Sequence, residues 1–275
     1  MVSESTKPSS SELLSVAVVG GGIAGITLTI GLLRHAPSLS VTLYESAPAF
    51  GEVGAGVGFG PNAIHAMSLI DPAIREAFEK IATYNQSDSK KDNLFDFRVG
   101  DCRRASARRE GDGESISNKM TEVEVGQLYH SLKVPIGQAS VHRAHFVDEM
   151  AKLIPDDIPR FGKRLTNIET DDNGDVLLIF KDGTIAKHNA VIGCDGIKSR
   201  TRRIILGDDP AASAVFSGKY AYRGMIPMDQ AVELLGDELA RNSQMYNGYH
   251  GHVVTFPIEK GSVMNGKHSI IKFPS

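Results

Sequence analysis

The feature that most constrains this chain is a cluster of glycines between a short apolar segment and a longer one. Residues 16–19 are valine-rich and have the length of a buried parallel strand. Gly20, Gly22 and Gly25 follow with the spacing Gly-x-Gly-x-x-Gly, and residues 23–33 have the composition of a helix. A strand, a glycine turn and a helix in this order predict the start of a doubly wound α/β sheet.

Each residue of this motif has a physical task in binding a dinucleotide. Gly20 permits the tight turn, Gly22 lets a pyrophosphate approach the backbone, and Gly25 allows helix and strand to pack closely. The N-terminus of the helix offers N–H groups and a partial positive charge to phosphates. Glu45 ends a second predicted strand about 20 residues after Gly25, where a carboxylate accepts hydrogen bonds from a ribose. The motif therefore predicts an adenine-dinucleotide site.

A membrane-spanning helix is the alternative interpretation of residues 13–33. The segment carries no charge and is long enough to span a bilayer. Three successive glycines near its middle are unfavourable in a helix, and the hydrophobic period changes across them. We therefore favour the strand and helix, and we predict no stable membrane insertion.

Composition narrows the class of protein further. The chain has 275 residues, 41% hydrophobic and 23% charged, which is typical of a globular protein. Its formal net charge of −3 argues against nucleic acid as the main partner. Cys102 and Cys194 lie far apart and form no metal or redox motif, which suits a reducing compartment, so we predict a cytoplasmic protein without a metal site. Residues 1–12 lack the features of a secretory signal and predict a short disordered tail.

Three further motifs have both a binding and an ordinary structural interpretation. The glycine-rich stretch 54–63 is either a flexible loop or a backbone held close to a flat ligand. Arg143 follows a predicted strand and begins a predicted helix, where it either reaches a bound anion or is an ordinary exposed arginine. Asp195 and Gly196 follow the apolar run 190–192, and they form either a plain turn or part of a ligand site at the carboxyl end of a strand.

Together these motifs resemble the FAD-dependent aromatic hydroxylases of the salicylate hydroxylase type, in their fungal form. The resemblance runs from about residue 15 to 265. It has these four motifs in the order of the family, followed by residues 219–227 and 245–261, which resemble strands of its substrate domain. It implies that FAD is contacted by Gly20, Gly22, Gly25, Glu45, Gly58, Arg143, Asp195 and Gly196.

The resemblance also implies a fold and a division into domains. The expected fold class is α/β, with a Rossmann-like FAD-binding domain of the glutathione-reductase type at 13–206 and the start of a mixed-sheet substrate domain at 207–265. We expect a polar insertion at about 84–120. Residues 266–275 do not resemble the family, whose members continue with a second flavin motif. We therefore expect an apparent truncation, from a retained intron or an incorrect gene model.

The function implied by the resemblance is hydroxylation of a phenolic or aromatic acid substrate by FAD, dioxygen and NADH or NADPH. Arg223 and Tyr246 match the substrate side of related fungal enzymes, where they would bind an anionic oxygen and orient the ring. A salt bridge for Arg223 and a core position for Tyr246 are the structural alternatives. Another flavin oxidoreductase of the same fold and a truncated, inactive FAD-binding fragment remain as alternative functions. The particular substrate and the oligomeric state are left open.

Overall fold

The structure is a computed structural model that describes residues 13–51, 56–101, 124–249 and 251–271. The described residues form two compact units, each built from two stretches of chain. The first unit draws on Met1–Gly51 and Val147–Ala214, and the second on Glu52–Phe146 and Val215–Ser275. The predicted domain boundaries follow the order of the chain instead, and they stay a prediction.

The elements are numbered in chain order. The strands are β1 (Ser15–Val19), β2 (Ser40–Tyr44), β3 (Gly56–Phe59), β4 (Thr83–Tyr84), β5 (Asn93–Val99), β6 (Leu128–Lys133), β7 (Ala139–His142), β8 (Pro159–Arg160), β9 (Leu165–Thr170), β10 (Val176–Phe180), β11 (Ile185–His188), β12 (Ala190–Gly193), β13 (Lys219–Pro227), β14 (Gln244–Asn247), β15 (Gly251–Ile258) and β16 (Val263–Ile271). The helices are α1 (Ile23–His35), α2 (Pro61–Ile70), α3 (Pro72–Ile81), α4 (Arg143–Ala151), α5 (Arg200–Leu206), α6 (Met228–Leu235) and α7 (Asp237–Ala240), with short 3₁₀ turns at Asp88–Lys90, Pro210–Ala212 and Glu259–Gly261.

The first unit contains a parallel sheet with the strand order β12-β1-β2-β8. Strand β1 pairs in parallel with both β2 and β12, so the carboxyl ends of these three strands lie at one edge. An antiparallel sheet, β11-β10-β9, belongs to the same unit. Its core is a cluster of buried apolar side chains: Ala17, Val19, Tyr44, Leu165, Leu178 and Phe180. This unit confirms the predicted Rossmann-like α/β fold.

The second unit is built on a mixed sheet with the order β13-β16-β15-β14-β5-β6. Strands β14 and β5 are parallel, and the other neighbouring pairs are antiparallel. A smaller antiparallel sheet, β3-β7-β4, accompanies it. Phe59, Phe78 and Phe146 pack edge to face beside the smaller sheet, with ring centroids 5.3 to 5.8 Å apart. The predicted mixed sheet is thus confirmed.

Strand β5 lies inside the stretch predicted as a polar insertion. It pairs with β14 and β6, and its buried Asp96 accepts hydrogen bonds from Lys90, Asn93 and Ser131 at 2.6 to 2.8 Å. Burial raises the pKa of Asp96, but these bonds and the nearby positive charges outweigh it and hold the pKa below its ordinary value. A polar sequence therefore forms an interior strand because its polar groups are satisfied. Residues 102–120 of this stretch lie outside the described residues.

Gly236, whose φ is +81°, separates helices α6 and α7. The segment considered as a membrane helix instead forms β1, the glycine turn and part of α1. Across the described ranges, we find no helix with the length and apolar character needed to cross a bilayer.

Candidate cofactor-binding site

The glycine turn after β1 is packed too tightly for side chains. Gly20 adopts φ +108°, and a Cβ there would lie 2.4 Å from the carbonyl oxygen of Cys194. A Cβ on Gly25 would lie 1.8 Å from the carbonyl oxygen of Gly20. Both positions therefore require glycine, as the motif predicts, because the turn, the helix and strand β12 approach one another closely.

The first turn of α1 begins at this glycine turn. Gly22 is its N-cap residue and provides no side-chain hydrogen bond, and the first turn contains no acidic residue. The first N–H groups of a helix have no partner within the helix, and the helix dipole places a partial positive charge there. This end of α1 therefore has the electrostatics that a pyrophosphate requires.

Glu45 is held against the glycine turn by its own hydrogen bonds. Its Oε2 accepts a hydrogen bond from the backbone N–H of Gly21 at 2.6 Å, and its Oε1 accepts one from Ala47 at 2.7 Å. A carboxylate has about four lone-pair positions, so acceptor capacity remains for a ligand hydroxyl. Gly21, whose N–H holds Glu45 in place, is a residue of this candidate site that the motif spacing did not single out, although the run of three glycines contained the signal.

Asp195 joins the same edge of the sheet from the end of β12. Its Oδ2 accepts hydrogen bonds from the backbone N–H groups of Arg200 and Thr201 at 2.7 and 3.0 Å, so it caps the start of α5. Its Oδ1 is buried and has no hydrogen-bond partner among the described residues. The adjacent Gly196 is exposed and adopts φ +76°, which explains the glycine in this turn.

The ionisation of Asp195 is set by two opposing effects. Burial raises the pKa of the carboxyl, whereas hydrogen bonds from Ser199, Thr201 and Arg200 lower it. Together, the hydrogen bonds have a larger effect than burial, so the pKa of Asp195 lies below its ordinary value. Asp195 is therefore an ionised acceptor at neutral pH.

These residues together fit the pyrophosphate and hydroxyl groups of FAD. Gly20, Glu45 and Asp195 follow the ends of β1, β2 and β12, and Gly25 lies in the first turn of α1. All four therefore lie at the carboxyl edge of the parallel sheet. The orphaned Oδ1 of Asp195 can accept a hydroxyl hydrogen bond, and the glycine backbone leaves the end of α1 accessible to phosphate. The structure thus brings together the sequence-predicted residues of the first unit.

Gly58 and Arg143 belong to the second unit. Gly58 lies in β3 opposite Ser140 of β7, and Arg143 is the half-buried first residue of α4, directly after β7. A Cβ on Gly58 would lie 2.7 Å from Nε2 of Gln138, a buried atom without a partner among the described residues. Sequence reasoning did not identify Gln138, because nothing in its neighbourhood indicates its burial. Residues 54 and 55 of the glycine-rich stretch lie outside the described residues.

The two candidate substrate residues lie on opposite faces of the six-stranded sheet. Residues directly opposite each other on neighbouring strands point to the same face of a sheet. Arg223 in β13 pairs with Lys267 in β16, Lys267 pairs with Val254 in β15, and Val254 pairs with Met245 in β14. Arg223 and Met245 therefore share a face. Tyr246 follows Met245, and successive side chains of a strand point to opposite faces. Arg223 is exposed, whereas Tyr246 is half-buried.

The surroundings of Tyr246 are those of an unsatisfied buried hydroxyl. Its Oη is buried and has no hydrogen-bond partner among the described residues. Burial raises the pKa of Tyr246, and the charge of Arg98 lowers it to a smaller extent. The guanidinium of Arg98 is itself engaged with Oε1 of Gln244 at 2.7 Å and with the carbonyl oxygen of Gly126 at 3.0 Å. Tyr246 therefore remains protonated and can donate a hydrogen bond.

An α/β fold with a glycine turn, a strand-end glutamate and a half-buried aspartate at the same sheet edge is typical of a dinucleotide-binding protein. Comparison with known proteins narrows this class. No protein-family model matches the chain. It is 45% identical over 259 residues to a 6-methylsalicylate 1-monooxygenase of Aspergillus terreus, covering 93% of this chain and 53% of that protein. It is 42% identical over 259 residues to an FAD-dependent monooxygenase of Aspergillus niger, covering 93% and 54% respectively.

Solved structures give the same result. The structure matches a salicylate hydroxylase in a substrate complex with a TM-score of 0.72 and 29% identity, covering 97% of this chain and 59% of that one. The chain is therefore homologous, over nearly all of its length, to the FAD-dependent monooxygenases of the salicylate hydroxylase type. This confirms the predicted resemblance and FAD as the cofactor of the relatives. The chain spans about half the length of the curated relatives it matches.

Proposed function

We propose that this chain is the FAD-binding part of a monooxygenase that hydroxylates a phenolic or aromatic acid substrate with NAD(P)H and dioxygen. The main support is the convergence of Gly20, Gly25, Glu45 and the orphaned Oδ1 of Asp195 in a chain homologous to such enzymes. We include a cytoplasmic location in this proposal, because the cysteine pattern suits a reducing compartment. When bound, FAD would supply the transfer of an electron pair from NAD(P)H and the activation of dioxygen.

The residues of the first unit would bind and orient the cofactor. The N-terminus of α1 would receive the pyrophosphate, and Glu45 would accept hydrogen bonds from the ribose hydroxyls. Asp195 would accept a hydroxyl hydrogen bond at Oδ1 while its Oδ2 remains bonded to the start of α5. Because its carboxylate is already fixed by α5, Asp195 would bind with little loss of side-chain freedom.

We propose Gly58 and Arg143 as further cofactor contacts from the second unit. A Cβ at Gly58 would crowd Nε2 of Gln138 at 2.7 Å, so this position in β3 favours glycine, and a ligand could contact its backbone without a side chain in between. Arg143 places a permanent positive charge at the start of α4. This charge suits an anionic group of the cofactor.

Arg223 and Tyr246 are proposed as substrate residues with separate tasks. Arg223 shares its face of the sheet with Phe256 and Asn265, and Asn265 accepts a hydrogen bond from the backbone N–H of Gly56 in β3 at 3.1 Å. Arg223 thus lies on the face that adjoins the glycine-rich stretch, and its guanidinium suits a carboxylate or phenolate. Tyr246 lies on the other face, where its hydroxyl could donate to an oxygen.

Similarity to a 6-methylsalicylate 1-monooxygenase guides the choice of substrate class. We propose a hydroxylated aromatic acid of the salicylate kind, whose carboxylate Arg223 would bind. Replacing Arg223 with Gln would then raise the KM about 10- to 100-fold, because a hydrogen bond to a charged group contributes about 1.5–3 kcal/mol. Lys219→Gln is a matched control, since Lys219 is an exposed cation of the same strand.

A second candidate is a chain that binds FAD without turnover. It is favoured by one observation: the two candidate substrate residues, Arg223 and Tyr246, lie on opposite faces of the six-stranded sheet. The two candidates separate when the purified chain is supplied with FAD, NADH or NADPH, and salicylate or 6-methylsalicylate. NAD(P)H oxidation with a hydroxylated product identified by mass spectrometry supports the monooxygenase. Stoichiometric FAD without product supports the binding fragment, and absence of FAD contradicts both.

A further inference from the structure

Two histidines and a glutamate meet in the second unit outside the proposed cofactor motif of the first. His142 ends β7, His145 lies in the first turn of α4, and Glu259 begins the 3₁₀ turn after β15. One ligand atom from each of the three side chains lies within 4.8 Å of the other two. We propose that His142, His145 and Glu259 form a binding site for a divalent transition-metal ion, of which Zn²⁺ is the best probe.

The ligand atoms of the three side chains lie somewhat further apart than they would when bound to one metal ion. Nε2 of His142 lies 4.0 Å from Oε1 of Glu259, and the two imidazole rings are 4.4 Å apart between centroids. Tetrahedral zinc with bonds of about 2.0–2.2 Å needs ligand atoms separated by roughly 3.3 Å. Movements of roughly 0.7 to 1.5 Å therefore suffice for separations of 4.0 to 4.8 Å, and the partly exposed Glu259 and the exposed His145 can make them by side-chain rotation.

The backbone already holds the three ligands near one another. Oγ of Ser140, two residues before His142, lies 2.6 Å from the carbonyl oxygen of Pro257 and 3.2 Å from that of Thr83, and its single hydroxyl hydrogen is shared between them. Lys260, next to Glu259, donates its backbone N–H to Oγ1 of Thr83 at 2.8 Å. The strand with the histidine and the turn with the glutamate are thus both tied to Thr83. Such a fixed arrangement reduces the ordering cost of metal binding.

The donor types determine the class of ion. Two imidazoles and one carboxylate suit Zn²⁺, Co²⁺ or Ni²⁺, whereas Mg²⁺ and Ca²⁺ prefer oxygen ligands. The side chain of His142 is 13% exposed, and its Nδ1 is buried without a partner among the described residues. Arg143 and Lys260 are sequence neighbours of the ligands, and their positive charge opposes cation binding. We therefore expect micromolar rather than nanomolar affinity.

Sequence spacing alone did not reveal this set, because Glu259 lies far along the chain from the two histidines. The inference is independent of the proposed function. It requires only that the second unit folds as described.

Zinc binding to the tag-free 275-residue chain tests the site. We expect isothermal titration calorimetry to give one Zn²⁺ per chain with a micromolar Kd. His145→Ala and the more conservative Glu259→Gln should each weaken binding at least tenfold. His65→Ala removes an exposed histidine of α2 and should leave the affinity unchanged. Zn²⁺ should also raise the Tm of the wild type and of His65→Ala, whereas Mg²⁺ should not.

Two results would overturn the proposal. One is a wild-type chain that binds no Zn²⁺ at 100 μM, roughly tenfold above the expected range. The other is equal zinc affinity in the wild type, Glu259→Gln and His145→Ala, since binding would then occur elsewhere. Far-ultraviolet circular dichroism of each variant, matched to the wild type, establishes that a loss of binding is not a loss of fold.

Discussion

The two units of this protein use their candidate functional residues in different ways. In the first unit, residues from β1, β2 and β12 converge on one edge of a parallel sheet. In the second, Arg223 and Tyr246 belong to one sheet but lie on opposite faces of it. In a parallel sheet, residues that follow neighbouring strands lie at the same edge, whatever the exact register of the strands. For a residue within a strand, by contrast, the pairing register decides which face of the sheet its side chain points to. The following predictions, from the largest effect to the smallest, test this contrast.

Replacing Gly25 with Ala should have the largest effect. The new Cβ would lie 1.8 Å from the carbonyl oxygen of Gly20, so the helix or the turn would have to move. We expect a loss of about 3 kcal/mol in the free energy of unfolding, measured by urea denaturation. Gly51→Ala is the control, because a Cβ there meets nothing within 4 Å, and it should change stability by less than about 0.5 kcal/mol. Equal stability of both variants would show that the turn is not tightly packed.

Asp195→Ala should have an intermediate effect. Loss of the bonds to the N–H groups of Arg200 and Thr201 removes a helix cap, at a cost of about 1–2 kcal/mol. Asp156→Ala, an exposed aspartate of the same unit, should cost much less. A cost equal to that of the control would contradict the capping role of Asp195.

The same carboxylate predicts an acid-dependent loss of stability. The pKa of Asp195 is lower in the folded state than in the unfolded state, so the unfolded state takes up its proton first as pH falls. Its stabilisation is fully present above the ordinary aspartate pKa of about 3.9 and is lost as pH falls through the folded-state pKa. Urea unfolding between pH 6 and pH 3 should therefore show a weaker pH dependence for Asp195→Asn than for the wild type. An unchanged dependence would refute the lowered pKa.

A smaller effect is expected at the buried pair Tyr44 and His188 of the first unit. Oη of Tyr44 lies 2.8 Å from Nε2 of His188, and burial lowers the pKa of the histidine. The unfolded state binds a proton more readily, so stability should be constant above about pH 6.5 and decrease as pH falls below it. His188→Gln should remove this step between pH 7.5 and 5.5 and cost about 1 kcal/mol at pH 7.5. A step that persists in the variant would have to come from another histidine.

The smallest effect is expected for Tyr246→Phe. The hydroxyl of Tyr246 is buried without a hydrogen-bond partner among the described residues. Its burial therefore costs desolvation free energy that no hydrogen bond offsets, and removing the hydroxyl removes this cost. We expect unchanged or slightly increased stability, by less than about 1 kcal/mol, in thermal and urea unfolding. Tyr44→Phe is the matched control, because that hydroxyl has a partner in His188 and its loss should destabilise by about 1 kcal/mol. A clear loss of stability in Tyr246→Phe would indicate a bound partner for the hydroxyl.

The contrast between the units also explains how much the sequence could predict. The positions of Gly20, Gly25 and Glu45 were predictable because a local motif specifies the turn, and the turn specifies the geometry. Asp195 was found in the same way, from a strand that ends in a glycine turn. The role of Gly21 is equally local, but standard spacing assigns it no task.

In the second unit, several structural features could not be predicted because they arise from pairing between segments that are distant in sequence. Strand β5 was not predicted, because its polar sequence resembles that of a loop. In the folded state its Asp96 accepts hydrogen bonds from Lys90, Ser131 and Asn93, the last of which lies in β5 itself. The opposite faces of Arg223 and Tyr246 follow from the register of four strands, which neither residue's own neighbourhood encodes. The meeting of Glu259 with His142 and His145 has the same origin.

Titration of FAD into the cofactor-free 275-residue chain tests the central claim most directly. Flavin fluorescence or calorimetry should give one FAD per chain for the wild type and for Asp156→Ala. Asp195→Ala should bind at least tenfold more weakly, because it lacks the carboxylate whose Oδ1 is orphaned in the structure. Equal FAD affinity in the wild type and Asp195→Ala, or no FAD binding by a folded wild-type chain, would contradict the assignment of the cofactor to this edge of the parallel sheet.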